Sequence, residues 1–215
     1  MIRVLIADDH EVVRSGFEMI VNAQDDMEVV GKVADGKEAY NQVVRLKPDV
    51  LLLDISMPPG ESGLVACEKV SNDHPETKVI ILTMFAEIDY LYFTLRGGAK
   101  GYVLKTSTSD ELVTAIRTVY DGGTYINQEM ASELTERLKD PDGIDEKNPL
   151  KVLTTREIEV MMLIAKGFTN KEIAEKIFVS VKTVEVHRSK IYSKLGIKSR
   201  AELVEIAIKY HLLEI

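Results

Sequence analysis

Five polar side chains in the first half of the sequence each follow a short apolar run. Asp8 and Asp9 follow VLIA, Asp54 follows LLL, Thr83 follows VIIL and Lys105 follows YVL. A charge at the end of a buried run costs several kcal/mol unless it is paired. The pattern therefore predicts that these groups meet and compensate one another.

Three carboxylates in one place repel each other unless a proton or a cation relieves the repulsion. Oxygen ligands favour Mg²⁺, or Mn²⁺, over zinc. A carboxylate beside a divalent cation and a lysine can accept a phosphoryl group, whose oxygens Lys105 and Thr83 can bind. The four histidines show no metal-ligand spacing, which supports an oxygen-only site: they are His10, His74, His187 and His211.

The apolar runs alternate with amphipathic segments, as in parallel α/β folds. Strands are predicted at 4–7, 29–33, 50–53, 79–82 and 101–104, and helices at 11–22, 36–46, 62–72, 87–97 and 109–120. Continuous apolar runs indicate strands buried on both faces. We expect a doubly wound, flavodoxin-like parallel sheet of strand order 2-1-3-4-5, with its ligands at the carboxyl ends of the strands.

The length of 215 residues suits two small domains. We assign residues 1–122 to the α/β domain and 123–149 to a linker, which holds a helix at 128–138 and the polar stretch KDPDGIDEKNP. Residues 150–215 show four helical patterns, at 154–166, 169–177, 181–195 and 200–210, which predict a small all-α domain.

Charge divides the chain in the same way. Residues 150–215 carry 12 Lys and Arg against 8 Glu, whereas residues 1–149 account for −12 of a total charge of −8. A basic second half suits a polyanionic partner. The sequence has neither an apolar run of about 20 residues nor a signal-peptide pattern. Its single cysteine, Cys67, suits a reducing compartment, so we expect a cytoplasmic protein with no membrane partner.

Two successive helices of the second half follow a helix-turn-helix plan. Val184, Ile191 and Leu195 line one face of the later helix, which leaves a polar face for the major groove of DNA. The candidate contacts to bases and phosphates on that face are Lys182, Thr183, Glu185, Val186, Arg188, Ser189 and Lys190. Three further residues begin the preceding helix and are candidates to anchor backbone phosphates: Thr169, Asn170 and Lys171.

These motifs carry a family resemblance. DD at 8–9, D at 54, T at 83 and K at 105, with LLLDISMPPGESG and GAKGYVLK, resemble the receiver domain of two-component response regulators. LTTREIEVMMLIAKGFTNKEIA and VKTVEVHRSKIYSKLGIKSRAEL resemble the LuxR-type helix-turn-helix domain. The whole chain thus resembles the NarL/FixJ family. Within it, MPPGESGL and NKEIAEKIFVSVKTVE are similar to regulators of oxygen-linked nitrate respiration.

The resemblance implies that a sensor histidine kinase phosphorylates Asp54. It also implies that Tyr102 is a switch aromatic that moves with Thr83. Modules of this kind usually bind paired half-sites of double-stranded DNA as two-fold dimers, so we expect phosphorylation to favour a homodimer, which can also contact RNA polymerase. The implied ligands of Mg²⁺ are Asp8, Asp9, Asp54 and the backbone carbonyl of Ser56.

Two other interpretations remain open. A phosphatase or phosphotransferase with an aspartyl-phosphate intermediate would use a similar sheet. Enzymes of the haloacid dehalogenase type, however, need a second Asp two residues after the nucleophile, where this chain has Ser56. A DNA-binding module whose first domain never takes phosphate would use the same helices. We expect a regulator rather than an enzyme with a separate substrate.

Overall fold

The computed structural model describes residues 1–55, 57, 61–84, 88–139, 149–177 and 179–209. In the N-terminal half, five strands alternate with five helices. The strands are β1 (Ile2–Ala7), β2 (Met27–Val33), β3 (Val50–Asp54), β4 (Lys78–Thr83) and β5 (Gly101–Leu104). The helices are α1 (Glu11–Asn22), α2 (Gly36–Leu46), α3 (Gly63–Asp73), α4 (Ile88–Arg96) and α5 (Ser109–Tyr120).

The strands form one parallel sheet in the order β2-β1-β3-β4-β5-β6. The flavodoxin-like order predicted for the first five strands is confirmed. The sixth strand, β6 (Tyr125–Ile126), was not predicted, and it lies in the segment that the sequence assigns to the linker. It pairs with Gly101 and Tyr102 of β5. A strand of two residues has too few positions to show a hydrophobic period.

Both faces of the sheet are buried, and successive residues of each central strand serve opposite faces. Leu51 and Leu53 of β3 pack in the cluster with α2, α3 and α4, whereas Val50 and Leu52 pack in the cluster with α1 and α5. Full burial of one such side chain contributes about 2 kcal/mol. The two layers therefore hold the strands firmly, and their carboxyl ends keep fixed positions.

Helix α6 (Gln128–Lys139) follows β6 and packs beside α4, with Met130 buried in the core of the N-terminal half. The C-terminal half begins with a short 3₁₀ helix (Pro149–Val152). It continues as α7 (Thr155–Ala165), α8 (Asn170–Lys176), α9 (Val181–Leu195) and α10 (Arg200–Lys209). The predicted small all-α domain of four helices is confirmed.

Local capping explains where these helices begin and end. Thr154 and Glu157 form a reciprocal capping box at the start of α7, and the Ser180 hydroxyl accepts a hydrogen bond from the Thr183 N–H at the start of α9. Gly196 ends α9 in the left-handed region at φ 69°, a conformation that costs glycine little. These signals are local, so the sequence alone predicts these boundaries to within one residue.

An apolar contact joins the two halves. Phe93 of α4 is only 6% exposed, because it packs in the core cluster of the C-terminal half with Leu153 and Ile158. Met162 of α7 in turn packs against the core of the N-terminal half. The helix that follows β4 therefore contributes to the core of the other half of the chain.

A buried ion pair in the C-terminal half yields a prediction on stability. Glu157 accepts a hydrogen bond from the Lys194 Nζ at 2.6 Å. Burial alone would raise the pKa of Glu157, but Lys194 and the Thr154 backbone N–H hold it below its ordinary value. A lowered carboxyl pKa stabilises the fold above the unfolded-state pKa of about 4.3, and this contribution is lost as the pH falls through the lowered value.

We expect Glu157→Gln to reduce the free energy of unfolding at pH 7 by about 2 kcal/mol, because a hydrogen bond between charged groups is lost. The deficit should be smaller at about pH 3, because the unfolded chain binds a proton below its pKa of about 4.3 and the folded carboxylate follows at lower pH. Urea unfolding followed by circular dichroism measures both values. Glu175→Gln, at an exposed position of α8, is the control and should change little. A deficit that is the same at both pH values would contradict this account.

Candidate functional site

Three of the predicted side chains meet at the carboxyl edge of the sheet. Asp8 follows β1, Asp54 ends β3 and Lys105 follows β5. The Lys105 Nζ lies 2.7 Å from Asp8 Oδ2 and 2.8 Å from Asp54 Oδ2. The ammonium group thus bridges two carboxylates that come from neighbouring strands.

Burial makes this bridge electrostatically important. Asp8 is 0% exposed and Asp54 is 4% exposed, so little water reaches their charges. Burial alone would lower the pKa of Lys105, but its hydrogen bonds to Asp54 and Asp8 and their negative charges raise it above the ordinary value. Lys105 therefore carries its positive charge throughout the neutral pH range.

The same edge of the sheet fits a divalent cation. Asp8, Asp9, His10 and Asp54 each offer a ligand atom, and these atoms all lie within 4.8 Å of one another. One lysine cannot neutralise three carboxylates, so the cluster stays negatively charged and suits a hard ion such as Mg²⁺. Ser56, whose backbone carbonyl is the remaining predicted ligand, lies outside the described residues.

His10 is a member of this cluster that the sequence analysis set aside. Its Nδ1 lies 2.7 Å from Asp9 Oδ1 and 3.4 Å from Asp8 Oδ1. The spacing between the four histidines indicates no metal site, because the partners of His10 are carboxylates rather than other histidines. Its position directly after Asp8 and Asp9 was the signal that could have identified it.

Thr83 and Tyr102 lie on β4 and β5, the two strands that follow β3 on one side of the sheet. Thr83 ends β4 and is 1% exposed, and its carbonyl oxygen accepts a hydrogen bond of 2.7 Å from the Lys105 N–H. Tyr102 is also 1% exposed, and it pairs in register with Ile81 on one side and Ile126 on the other. In this state the tyrosine ring therefore lies inside the core rather than at the surface.

Two glycines hold the chain close to Asp54. The Gly63 N–H donates to the Ile55 carbonyl at 2.9 Å, and a Cβ on Gly63 would lie 1.8 Å from the Asp54 carbonyl oxygen. The Gly36 N–H donates to the Glu61 carbonyl at 3.0 Å, where an added Cβ would approach that oxygen to 2.5 Å. Neither glycine could be identified from the sequence, because the close approach of two backbones is a tertiary property.

The candidate DNA-binding face of α9 is open to solvent. Val184 and Ile191 are buried in the core of the C-terminal half. Thr183 and Arg188 are partly buried, and the Arg188 guanidinium stands 5.1 Å from the centre of the Tyr192 ring. The candidates that are exposed are Lys182, Glu185, Val186, Ser189 and Lys190.

The three candidate phosphate contacts at the start of α8 differ in their exposure and hydrogen bonding. Lys171 is exposed, whereas Asn170 is partly buried. The Thr169 hydroxyl accepts a hydrogen bond from the Glu172 N–H and donates to the Glu172 carboxylate, so it is engaged in capping the helix. The sequence analysis proposed an anchor for phosphate at Thr169 and did not predict this capping role.

The helices leave no candidate for a membrane span in the part of the chain that the structure describes: none of them combines the length and the apolar character that crossing a bilayer requires.

Comparisons with known proteins match both halves of the chain. Residues 4–117 match the family described as "Response regulator receiver domain", and residues 151–207 match "Bacterial regulatory proteins, luxR family". The sequence is 55% identical to "Oxygen regulatory protein NreC" of Staphylococcus aureus over 215 residues, which is 99% of each chain.

Two solved structures are similar as well. RcsB from Salmonella enterica serovar Typhimurium, bound to promoter P1flhDC with the phosphomimetic BeF3-, is 28% identical with a TM-score of 0.66. That match covers 95% of this chain and 97% of the other. A two-component response regulator of the LuxR family from Aurantimonas sp. SI85-9A1 is 29% identical with a TM-score of 0.60, over 63% of this chain and 96% of the other.

The close contact between the backbones of Gly63 and Asp54 can be tested by substitution. We expect Gly63→Ala to lower the free energy of unfolding by about 3 kcal/mol, because the new methyl group forces two backbone segments apart. The matched control is Gly16→Ala in α1, where an added Cβ meets nothing within 4 Å and helix propensity should add about 1 kcal/mol. Urea unfolding of both variants decides, and similar stability of the two would contradict the contact.

Proposed function

Because this chain belongs to the NarL-type two-component response regulators, which join a receiver domain to a LuxR-type DNA-binding domain, we propose that phosphorylation of Asp54 controls its binding to DNA. The observation that carries this proposal is the Lys105 ammonium between Asp8 and Asp54, at 2.7 and 2.8 Å. It places a positive charge against a buried carboxylate at the carboxyl edge of the sheet, where that charge can also stabilise an incoming phosphoryl group.

The phosphoryl donor is the phosphohistidine of a sensor histidine kinase. An Asp54 oxygen forms the new bond to phosphorus as the bond between phosphorus and the histidine nitrogen breaks, and that nitrogen keeps the electron pair. Lys105 and the Thr83 hydroxyl bind phosphoryl oxygens as negative charge develops on them.

The proposed cofactor is Mg²⁺, or Mn²⁺, and the residues present fit it. When bound, the ion supplies positive charge that reduces the repulsion between the carboxylates and the incoming phosphoryl group. The residues that would hold it are Asp8, Asp9 and Asp54, together with the carbonyl of Ser56.

The signal passes from β4 into α4. Phosphoryl oxygens at Asp54 offer new acceptors to the Thr83 hydroxyl, and a movement of Thr83 makes room for Tyr102 to turn. The α4 helix follows Thr83 along the chain and carries Phe93, which is buried in the core of the C-terminal half. A shift of α4 therefore repositions the DNA-binding domain, so that the two states differ in their affinity for DNA.

Control of this kind does not require the receiver to cover the recognition helix. The outward residues of α9 are already exposed, among them Lys182, Glu185 and Lys190. Phosphorylation instead favours a homodimer that places two α9 helices in successive major grooves of double-stranded DNA, about 34 Å apart. The dimer can contact RNA polymerase at the promoter. The compartment that we propose is the cytoplasm, where the kinase's catalytic domain and the DNA are both accessible.

We further propose that the controlled genes serve oxygen-linked respiration, with nitrate respiration as the respiratory process. The support is the 55% identity to a protein named for oxygen regulation, over 99% of both chains. The rival aspartyl-phosphate enzyme lacks support, because Ser56 stands where such an enzyme needs its general acid. The chain thus acts as a regulator that does not turn over a separate substrate.

The phosphorylation site is tested by Asp54→Ala. We expect this variant to take up no acid-labile phosphate from acetyl phosphate and Mg²⁺, because the acceptor oxygen is gone, and to lose phosphate-stimulated footprints on promoter DNA. The control is Asp25→Ala, which removes an exposed carboxylate and should retain both. Promoter binding of Asp54→Ala equal to that of the phosphorylated wild type would reject control by phosphorylation. It would favour the phosphate-independent DNA-binding module instead.

The recognition helix is tested by combining Lys182→Ala with Arg188→Ala. We expect at least a roughly tenfold loss of promoter affinity, because each base contact of this type is worth about 1–3 kcal/mol. If both residues contact phosphates instead, the dependence of log affinity on log salt should fall by about 2. Gel-shift titrations at several salt concentrations measure both quantities.

The matched control for charge is Arg45→Ala with Lys100→Ala, which removes two exposed positive charges from the receiver. This control should bind DNA like the wild type. Equal losses in both double variants would show that total charge, rather than α9, governs binding. Phosphorylation of both variants by acetyl phosphate confirms that the receiver remains folded.

A further inference from the structure

Beside the carboxylates of the proposed phosphorylation site lies an imidazole that the proposed chemistry does not use. We propose that His10 is a nitrogen ligand of the cation site, and that it makes the site favour transition-metal ions such as Co²⁺ over Mg²⁺. This inference rests on the proposed function, because it concerns the same cation.

The spacing of the atoms fits shared coordination. Ligands about 2.1 Å from an octahedrally coordinated ion lie about 3 Å apart along an edge of the octahedron. His10 Nδ1 lies 2.7 Å from Asp9 Oδ1 and 3.4 Å from Asp8 Oδ1, which brackets that value. The His10 nitrogen therefore lies at separations from both carboxylate oxygens that are compatible with ligands of one ion.

The position of His10 in the chain leaves its ring available. His10 is the N-cap residue of α1, but its side chain makes no capping hydrogen bond, and histidine is not among the preferred N-cap residues. Its backbone N–H donates to Asp8 Oδ1 at 2.8 Å, which ties the residue to the buried carboxylate. The helix does not use the imidazole, and the backbone holds it over the acidic cluster.

Exposure places the ring on the solvent side of the cluster. The His10 side chain is 67% exposed, whereas that of Asp8 is 0% exposed. An ion bound among the carboxylates would otherwise complete its shell with water on this side. A neutral imidazole can take that place through Nδ1 while Nε2 carries the proton and stays hydrated.

An imidazole ligand would change which metal ion the site prefers. Carboxylate, carbonyl and water ligands suit Mg²⁺, while imidazole suits later transition metals. In the absence of an ion the Nδ1–H of the same ring can donate to Asp9 instead, which is the competing explanation for the short contact. The two explanations differ in whether nitrogen touches a bound ion.

The first test uses the full chain with Mn²⁺ as a paramagnetic probe. Pulsed electron paramagnetic resonance should detect ¹⁴N coupled to bound Mn²⁺ in the wild type and should lose this coupling in His10→Ala. The matched control is His74→Ala, whose side chain pairs with Glu76 elsewhere on the surface, and it should retain the coupling. Bound Mn²⁺ without ¹⁴N coupling in the wild type would overturn the proposal.

The second test measures selectivity by calorimetry with Co²⁺ and with Mg²⁺. We expect the preference for Co²⁺ over Mg²⁺ to fall roughly tenfold in His10→Ala, the lower end of the losses seen when a metal site is weakened. An unchanged ratio would also overturn the proposal. Circular dichroism verifies that the variant is folded.

The proposed function is judged separately, by the uptake of phosphate by the wild type with acetyl phosphate and Mg²⁺. Phosphate uptake without ¹⁴N coupling rejects only the role of His10. Coupling without phosphate uptake rejects only phosphorylation.

Discussion

The ammonium group of Lys105, placed between Asp8 and Asp54, is the interaction on which the receiver's site depends. The sheet buries the ends of β1 and β3, and each ends in or beside a carboxylate that burial would otherwise penalise by several kcal/mol. A cation from β5 offsets that cost only if β1, β3, β4 and β5 lie side by side. The strand order therefore brings the ammonium group to the place where the two buried carboxylates need a positive charge.

The rest of the receiver supports this bridge and connects it to the other domain. The central strands are closed by apolar layers on both faces, so they offer a fixed platform. Gly63 and Gly36 hold the chain after Asp54 against that platform through backbone contacts. Beyond Thr83 the chain continues into α4, and α4 reaches the other domain through Phe93, which makes this the path of the proposed signal.

Much of this arrangement could be predicted from the sequence, because parallel strands buried on both faces appear as continuous apolar runs. The rule that ligands gather at the carboxyl ends of strands then placed Asp8, Asp54 and Lys105 together. The C-terminal helices were predictable as well, because the helical patterns that indicated them are local in the chain, as are the caps that the structure shows at their starts. The sequence thus shows the hydrophobic periodicity of each element and the residues at which the elements begin and end.

The features that the sequence did not reveal are those that depend on a distant partner. β6 has two residues and exists because β5 offers an open edge. Gly63 is required because the Asp54 backbone approaches it. His10 is the exception, because its partners Asp8 and Asp9 adjoin it in the sequence and their adjacency could have indicated it. In the sequence, Phe93 is an ordinary apolar residue of an amphipathic helix. Nothing in its position along the chain indicates that it packs in the core of the C-terminal half.

The burial of Phe93 has a consequence for how such regulators can be recombined. A receiver side chain fills part of the core around Leu153 and Ile158, so the LuxR-type domain shares one position of its core with the other half of the chain. A hybrid could join the LuxR-type domain to a foreign receiver that has no aromatic residue at the position of Phe93. Such a hybrid would have an apolar cavity between its two domains. When domains are exchanged in evolution, the surface of α4 and the LuxR-type domain that it contacts would then have to be inherited together.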